Sequence, residues 1–263
     1  MAGSWTAVLR AAQGTPEARV VLIPHAGAGP NVLMPLAERL PPRFEVLGVT
    51  LPGRERRFSE SFKETPSDPH AVVEGVLGEL VALPSLPTVL FGHSMGAAVA
   101  AAIALAKPEP FAGLVLSAYP SGGSAAERAG RWSDDDLVKI MRAGGGTPDE
   151  ILASPFWREH VMALLRSDLT LGLRLAQVSF LGPVAVPLTV LGAHDDQLVP
   201  SAELPAWRDR AGAGLRTRMF DGGHFYLLEE PHVGEVAAEL ARACLGNRED
   251  AQVEGDNGPW SHD

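Results

Sequence analysis

The chain has 263 residues, 46% of them hydrophobic, and a formal net charge of −10. That length and apolar content suit one domain with a full core, and a second domain is not expected. The acidic balance argues against nucleic acid or anionic membrane as partner, and a single cysteine, Cys244, excludes an internal disulfide.

Trp5 to Leu9 reads as an added edge strand, and Val20–Ile23 as an apolar strand that runs into Pro24-His25-Ala26-Gly27-Ala28-Gly29. Helical spacing of apolar residues follows over Val32 to Leu40, then a strand over Val46–Leu51 and a helix over Ala71 to Leu83. Strand Val89–Phe91, a small-residue helix Ala97 to Ala106 and strand Leu114–Ser117 come next. The stretch from about 121 to 182 is too long for a simple crossover and reads as helices. Ser133 stands three residues before Asp136, Thr147 precedes Pro148 and Glu150, and Ser154 precedes Pro155, all helix-start patterns. Gly144-Gly145-Gly146 makes a flexible joint between the first two pieces. Strands Leu188–Leu191 and Leu215–Phe220 and a helix over Val233 to Leu245 complete the body, and residues 247–263 read as a disordered tail. Such alternation predicts an α/β fold with a mostly parallel sheet flanked by helices. One domain spans 1–246, with the helices of 121–182 inserted as a lid. No N-terminal basic and apolar signal and no apolar run of 18 residues appears, so a soluble cytoplasmic protein is expected.

Chemistry concentrates at Gly92-His93-Ser94-Met95-Gly96, which lies between a strand and a helix. A serine on that sharp turn has its hydroxyl in the open, and the unpaired N–H groups and dipole of the helix start favour negative charge beside it. Ser94 is the candidate nucleophile. It needs a base and an acid, which follow in chain order as acid and then histidine. Of eight histidines, His224 lies in the glycine-rich loop Asp221-Gly222-Gly223-His224 after a short strand and is the candidate base. His70, His160 and His232 read as solvated, His262 is in the tail, and His93 packs inside the elbow. The acid lies in Gly192-Ala193-His194-Asp195-Asp196-Gln197-Leu198-Val199-Pro200. In related hydrolases the acid commonly precedes a short x-apolar-Val-Pro stretch; Asp196 has that spacing to Leu198-Val199-Pro200 and Asp195 is one residue out of phase, so the resemblance favours Asp196. The oxyanion hole would combine the amide of Met95 with that of Ala26 or Gly27 from the loop after the first buried strand. That loop lacks the pattern of a phosphate cradle. His194, Asp195 and Asp196 are better explained as the acid loop than as a metal site.

Pro24-His25-Ala26-Gly27, Leu51-Pro52-Gly53-Arg54-Glu55-Arg56-Arg57, the elbow, and Gly222-Gly223-His224-Phe225-Tyr226-Leu227 together resemble the type II thioesterases that accompany polyketide synthases and nonribosomal peptide synthetases. The resemblance runs from about residue 18 to 245. It implies an α/β-hydrolase fold and hydrolysis of acyl thioesters from the phosphopantetheine arm of acyl or peptidyl carrier proteins. The arm enters as part of the substrate, and no cofactor is implied. A monomer is expected. Two departures, Ala28-Gly29 and Leu165-Arg166-Ser167-Asp168-Leu169, are expected to bear on acyl preference.

Ile140, Met141, Ile151, Leu152, Phe156, Met162, Leu164 and Leu165 either line an acyl channel or hold the lid to the core. Arg54, Arg56, Arg57 and Lys63 form one candidate basic face for a carrier protein, and Arg158, Arg166 and Arg174 another. Two rival functions share these features. A carboxylesterase or lipase would prefer free oxygen esters, and a carrier-binding protein without chemistry would leave Ser94 unlabelled by a fluorophosphonate. Acyl transfer to an amine or alcohol is a third.

Overall fold

In the computed structural model, which describes residues 3–60, 68–121, 131–143, 149–179 and 182–246, the apolar runs become a seven-stranded sheet. Its order is β1-β3-β2-β4-β5-β6-β7. The strands are β1 (Thr6–Arg10), β2 (Ala18–Ile23), β3 (Phe44–Val49), β4 (Thr88–His93), β5 (Phe111–Ser117), β6 (Leu188–Ala193) and β7 (Leu215–Phe220). The edge strand β1 runs antiparallel to β3, and every other pairing is parallel. Strands β2, β4 and β6 are buried at every position, as strands covered on both faces must be. The third strand starts and ends two residues earlier than its apolar run suggests. Phe44 and Glu45 pair with Ala18 and Arg19, and the chain leaves the ladder at Thr50, whose N–H turns to the Trp5 carbonyl.

One face is covered by α1 (Met34–Arg39) and α7 (His232–Leu245), through residues such as Leu36, Val236 and Leu240. The helix expected over Val32 to Leu40 is split: a 3₁₀ turn spans Pro30–Leu33, and α1 begins with a proline in its first turn. The other face packs under α2 (Pro69–Ala82) and α3 (Met95–Ala106). Most of α3 is buried, chiefly as alanine with one valine and one glycine, and these short side chains let other elements close over it. Cys244 is buried among the α7 residues, and burial pushes its thiol up to about 12.

Between β5 and β6 come α4 (Asp134–Ala143), α5 (Asp149–Ala153) and the 25-residue α6 (Pro155–Ser179). The start of α4 is a reciprocal cap: the Ser133 N–H and hydroxyl donate to Asp136 Oδ2, and the Asp136 N–H returns to Ser133 Oγ. Pro155 opens α6 as expected. Gly144 to Gly146, Thr147 and the tail 247–263 lie outside the described residues. Among those described, no helix is long and apolar enough to cross a membrane.

The first basic face does not exist as a surface. Arg54 and Arg57 are buried, the latter bonded to Glu60 and the Thr50 carbonyl with its guanidinium over Trp5. Arg56 is exposed, and Lys63 lies outside the described residues. Arg158 and Arg166 are more exposed, yet face Asp135 and Asp134.

Strand β7 is tied to α7 by a carboxylate. Glu239 is buried and accepts from Arg216 at 2.7 Å and Arg218 at 3.1 Å. Glu239→Ala should cost about 2 kcal/mol, read as a fall in Tm of roughly 5 °C in a thermal melt.

Candidate active site

Strands β2 and β4 are neighbours with Ile23 opposite Gly92, so the loop after β2 and the turn after β4 leave the sheet side by side. Ser94 sits on that turn with φ 55° and ψ −123°, a conformation costing a non-glycine residue about 1–3 kcal/mol. It is pinned from both sides. Its N–H donates to the Ser117 carbonyl at 2.8 Å, and its own carbonyl accepts from Ala97 at 2.9 Å. The flanking glycines are required by contact: a Cβ on Gly92 would stand 2.2 Å from the Gly96 carbonyl oxygen, and one on Gly96 2.3 Å from that of Ile23.

Strands β6 and β7 bring the other two residues together. Their ends pair at Ala193 and Phe220, and two more backbone bonds, His194 to Phe220 and Asp195 to Gly222, extend the contact into the loops. Asp196 is buried, with Oδ1 accepting the N–H groups of Leu198 and Val199 at 2.8 and 2.9 Å. Its Oδ2 takes the Nδ1–H of His224 at 2.8 Å. Asp195 is exposed, so the structure selects Asp196 for contact with the imidazole. The Leu198-Val199-Pro200 spacing thus has a physical basis: the two amides after Asp196 wrap its carboxylate. An imidazole bonded this way keeps Nε2 as the proton acceptor.

Behind the elbow runs a buried chain that motif spacing does not reveal. His93 Nδ1 lies 2.9 Å from Ser117 Oγ, which lies 2.7 Å from the Tyr226 hydroxyl. Tyr226 stacks on Phe220, and the His93 ring is 5.0 Å from that of His224. His93 therefore packs, as expected. His160 and His232 are half-buried rather than fully solvated as expected. His160 is half-buried beside Phe58 and donates to the Gly53 carbonyl, and His232 faces Glu235 with its ring against Phe220. His70 is exposed.

Ser94, Met95, Ala26 and His224 line one pocket, whose wall is continued by Trp132, Leu137, Ile140, Leu165 and Leu169 of the inserted segment. Of the eight apolar residues singled out there, Ile140 and Leu165 reach this cavity. Met141 lines an adjoining one. Leu152 and Met162 pack with Leu137 in a core of the insertion's own, and Phe156 is 73% exposed. Gly27 is a correction. Its N–H donates to Asp168 Oδ2 at 2.7 Å, so it is already used within the protein and is not available to an oxyanion.

A sharp turn bearing serine, an imidazole held by a buried carboxylate, and an apolar chamber over both make an acyl-transferring site. The family model for the thioesterase domain matches residues 18–244. The chain belongs to the thioesterase family. It is 33% identical over 237 residues to a Streptomyces griseus protein named "Probable cadicidin biosynthesis thioesterase", the match covering 88% of this chain and 63%, less than two thirds, of that protein. It is 27% identical to the gramicidin S biosynthesis protein GrsT of Aneurinibacillus migulanus, over 81% of this chain and 84% of that one. Among solved structures, the type II thioesterase BorB from the borrelidin biosynthetic cluster matches with a TM-score of 0.71 and 27% identity, covering 93% of this chain and 99% of the other.

The thioesterase keeps two neutral histidines beneath its site. Burial lowers His25 to about 4 and takes His93 well below the usual imidazole range. Because the folded values lie below the unfolded one, their stabilising contribution is full above pH 6.5, declines as pH falls below that value, and is wholly lost only once pH has passed through the folded values. For His25 alone the loss at pH 5 is about 2 kcal/mol. Thermal melts should show a lower Tm at pH 5 than at pH 8, and a smaller fall in His25→Gln. Glu60, Glu79 and Glu239, held below the usual carboxylate range mainly by hydrogen bonds that outweigh burial for the last two, lose their contributions only at lower pH.

Proposed function

We propose that this thioesterase removes acyl groups from the phosphopantetheine arm of acyl or peptidyl carrier proteins in the cytoplasm, through an acyl-enzyme on Ser94. The observation that carries the reading is the His224–Asp196 pair converging with Ser94 in an apolar chamber. The membership of its relatives in gramicidin S and borrelidin biosynthesis supports the class of substrate. One α/β-hydrolase domain over 1–246 carries the site, with 121–182 as its lid.

His224 Nε2 takes the Ser94 proton as Oγ attacks the thioester carbonyl. The carbonyl oxygen becomes an oxyanion held by the amides of Met95 and Ala26, each such donor contributing roughly 3 kcal/mol to the transition state. Asp196 fixes the imidazole tautomer and stabilises the cation that forms. When the tetrahedral intermediate collapses, the C–S bond breaks and the imidazolium proton goes to the departing thiolate. Water then attacks the acyl-serine, giving its proton to His224 Nε2. Collapse of the second intermediate releases the carboxylic acid and returns that proton to Ser94 Oγ. The chamber excludes water from the acyl chain and suits apolar chains, since Leu137, Ile140, Leu165 and Leu169 form its walls.

Ser94→Ala should lower turnover by roughly four to six orders of magnitude, and Asp196→Asn should damage the rate far more than Asp195→Asn, both read as thioester hydrolysis. Retention of a tenth of the activity in Ser94→Ala would transfer the nucleophile role elsewhere. Intact-protein mass spectrometry on an acylated carrier, beside the same acyl group on a small thiol, tests the partner. Faster release from the carrier is expected, and equal or slower release would leave a general thioesterase.

A further inference from the structure

Helix α6 enters the site with two residues one turn apart, Asp168 and Gly172, and each meets a different half of the oxyanion machinery. Asp168 has no exposed surface. Its Oδ2 accepts the Gly27 N–H at 2.7 Å and Arg54 Nη1 at 2.6 Å, and its Oδ1 accepts Arg54 Nη2 at 2.7 Å. Arg54 Nη1 also donates to the Ala28 carbonyl at 3.1 Å. Four positions further on, a Cβ at Gly172 would stand 3.0 Å from Met95 Cγ, so the helix packs closely against the Met95 side chain.

The loop that Asp168 grips is a turn. His25 carbonyl accepts from the Ala28 N–H, and Gly27 has φ 80°, the arrangement of a type II turn with glycine at its third position. The peptide between Ala26 and Gly27 is the one whose rotation converts such a turn into type I. Here it is held at both ends, its carbonyl by His25 Nδ1 at 3.0 Å and its N–H by Asp168. The Ala26 N–H belongs to the preceding peptide, at the first corner of the same turn, so a turn held in this form holds that donor with it. A buried carboxylate this close to a developing oxyanion would oppose it, unless neutralised. The two-pronged Arg54 contact supplies that neutralisation.

We infer that Asp168 and Arg54 are positioning residues for the oxyanion site, setting the Ala26 amide from the inserted helix while Gly172 seats Met95. The inference rests on the catalytic reading of Ser94. It assigns the pair an effect on the transition state rather than on substrate affinity, because neither side chain lines the chamber.

Asp168→Asn keeps the shape, but its one carbonyl oxygen cannot serve both Gly27 and Arg54 as two carboxylate oxygens do. Assayed on an acyl thioester of a small thiol, with active sites counted by fluorophosphonate labelling, it should lose about tenfold or more in kcat with KM within about twofold. Affinity for an acyl trifluoromethyl ketone, which forms a tetrahedral adduct on serine, should fall by the same factor, while affinity for the matching unreactive acyl amide stays level. Arg54→Lys, which keeps the charge but loses the fork, should show the same pattern more weakly and decides the matter if Asp168→Asn does not fold. A kcat per labelled site within about twofold of wild type, or a rise in KM alone, would overturn the inference and leave the pair as an anchor for α6. If wild type labels at Ser94 and Ser94→Ala is inactive, such a result counts against the positioning role only. Activity that survives Ser94→Ala would overturn both.

Discussion

The candidate reactive groups of this thioesterase leave the same end of one mostly parallel sheet, and the pairing of strand ends is the constraint on which the site depends. Ile23 beside Gly92 places the turn after β2 against the elbow after β4. Ala193 beside Phe220 does the same for the acid and histidine loops. Each loop is short, and each leaves a strand that cannot move without breaking ladder hydrogen bonds, on both sides for β2, β4 and β6 and to β6 for the edge strand β7. The groups are therefore preorganised by backbone rather than by long side chains. The strained backbone of Ser94 is a local consequence. Its φ of 55° persists because bonds to Ser117 and from Ala97 hold it, and because Gly92 and Gly96 let the chain pass within contact distance of its neighbours.

Charge is handled differently on the two sides of the elbow. On the acid side, Asp196 is stabilised by two backbone amides and the His224 ring, so its charge is dispersed before any reaction begins. On the oxyanion side, a carboxylate and a guanidinium are buried as a pair, and the nearest histidines, His25 and His93, are kept neutral by desolvation. An uncompensated charge of either sign there would compete with the charge changes of the reaction. The Arg54–Asp168 pair also ties the inserted helices to the body, since α6 reaches the turn after β2 through it.

Much of this was legible in residue order. The strand, tight turn and small-residue helix around Ser94 form a local pattern, and local patterns depend on few neighbours. Asp196 could be told from Asp195 because the amides that wrap it come from Leu198 and Val199, two and three residues on. The basic segment Arg54 to Arg57 is not legible in residue order, for the opposite reason. Arginine suggests surface, and only the folded chain supplies Asp168, 114 positions away, and Glu60 with the Thr50 carbonyl to bury two of its members. Leu165 to Leu169 held a similar surprise. Leu165 and Leu169 do line the chamber, but the residue between them that matters to the turn after β2 is Asp168.

By itself, then, the amino-acid order determined the alternation of strands and helices, the elbow, the order of the candidate acid and histidine, the capped start of α4 and the proline that opens α6. These follow from periodicity, glycine placement and hydrogen bonds spanning a few residues. Tertiary structure alone decided that the Gly27 amide is occupied, that His93, Ser117 and Tyr226 form one buried chain, that Trp132 and Leu169 join the chamber wall, and that Arg54 is interior. Each of these is a contact between residues far apart in the chain, and the partner of a buried polar group is specified by where the sheet and helices bring the backbone, not by the residues on either side of it.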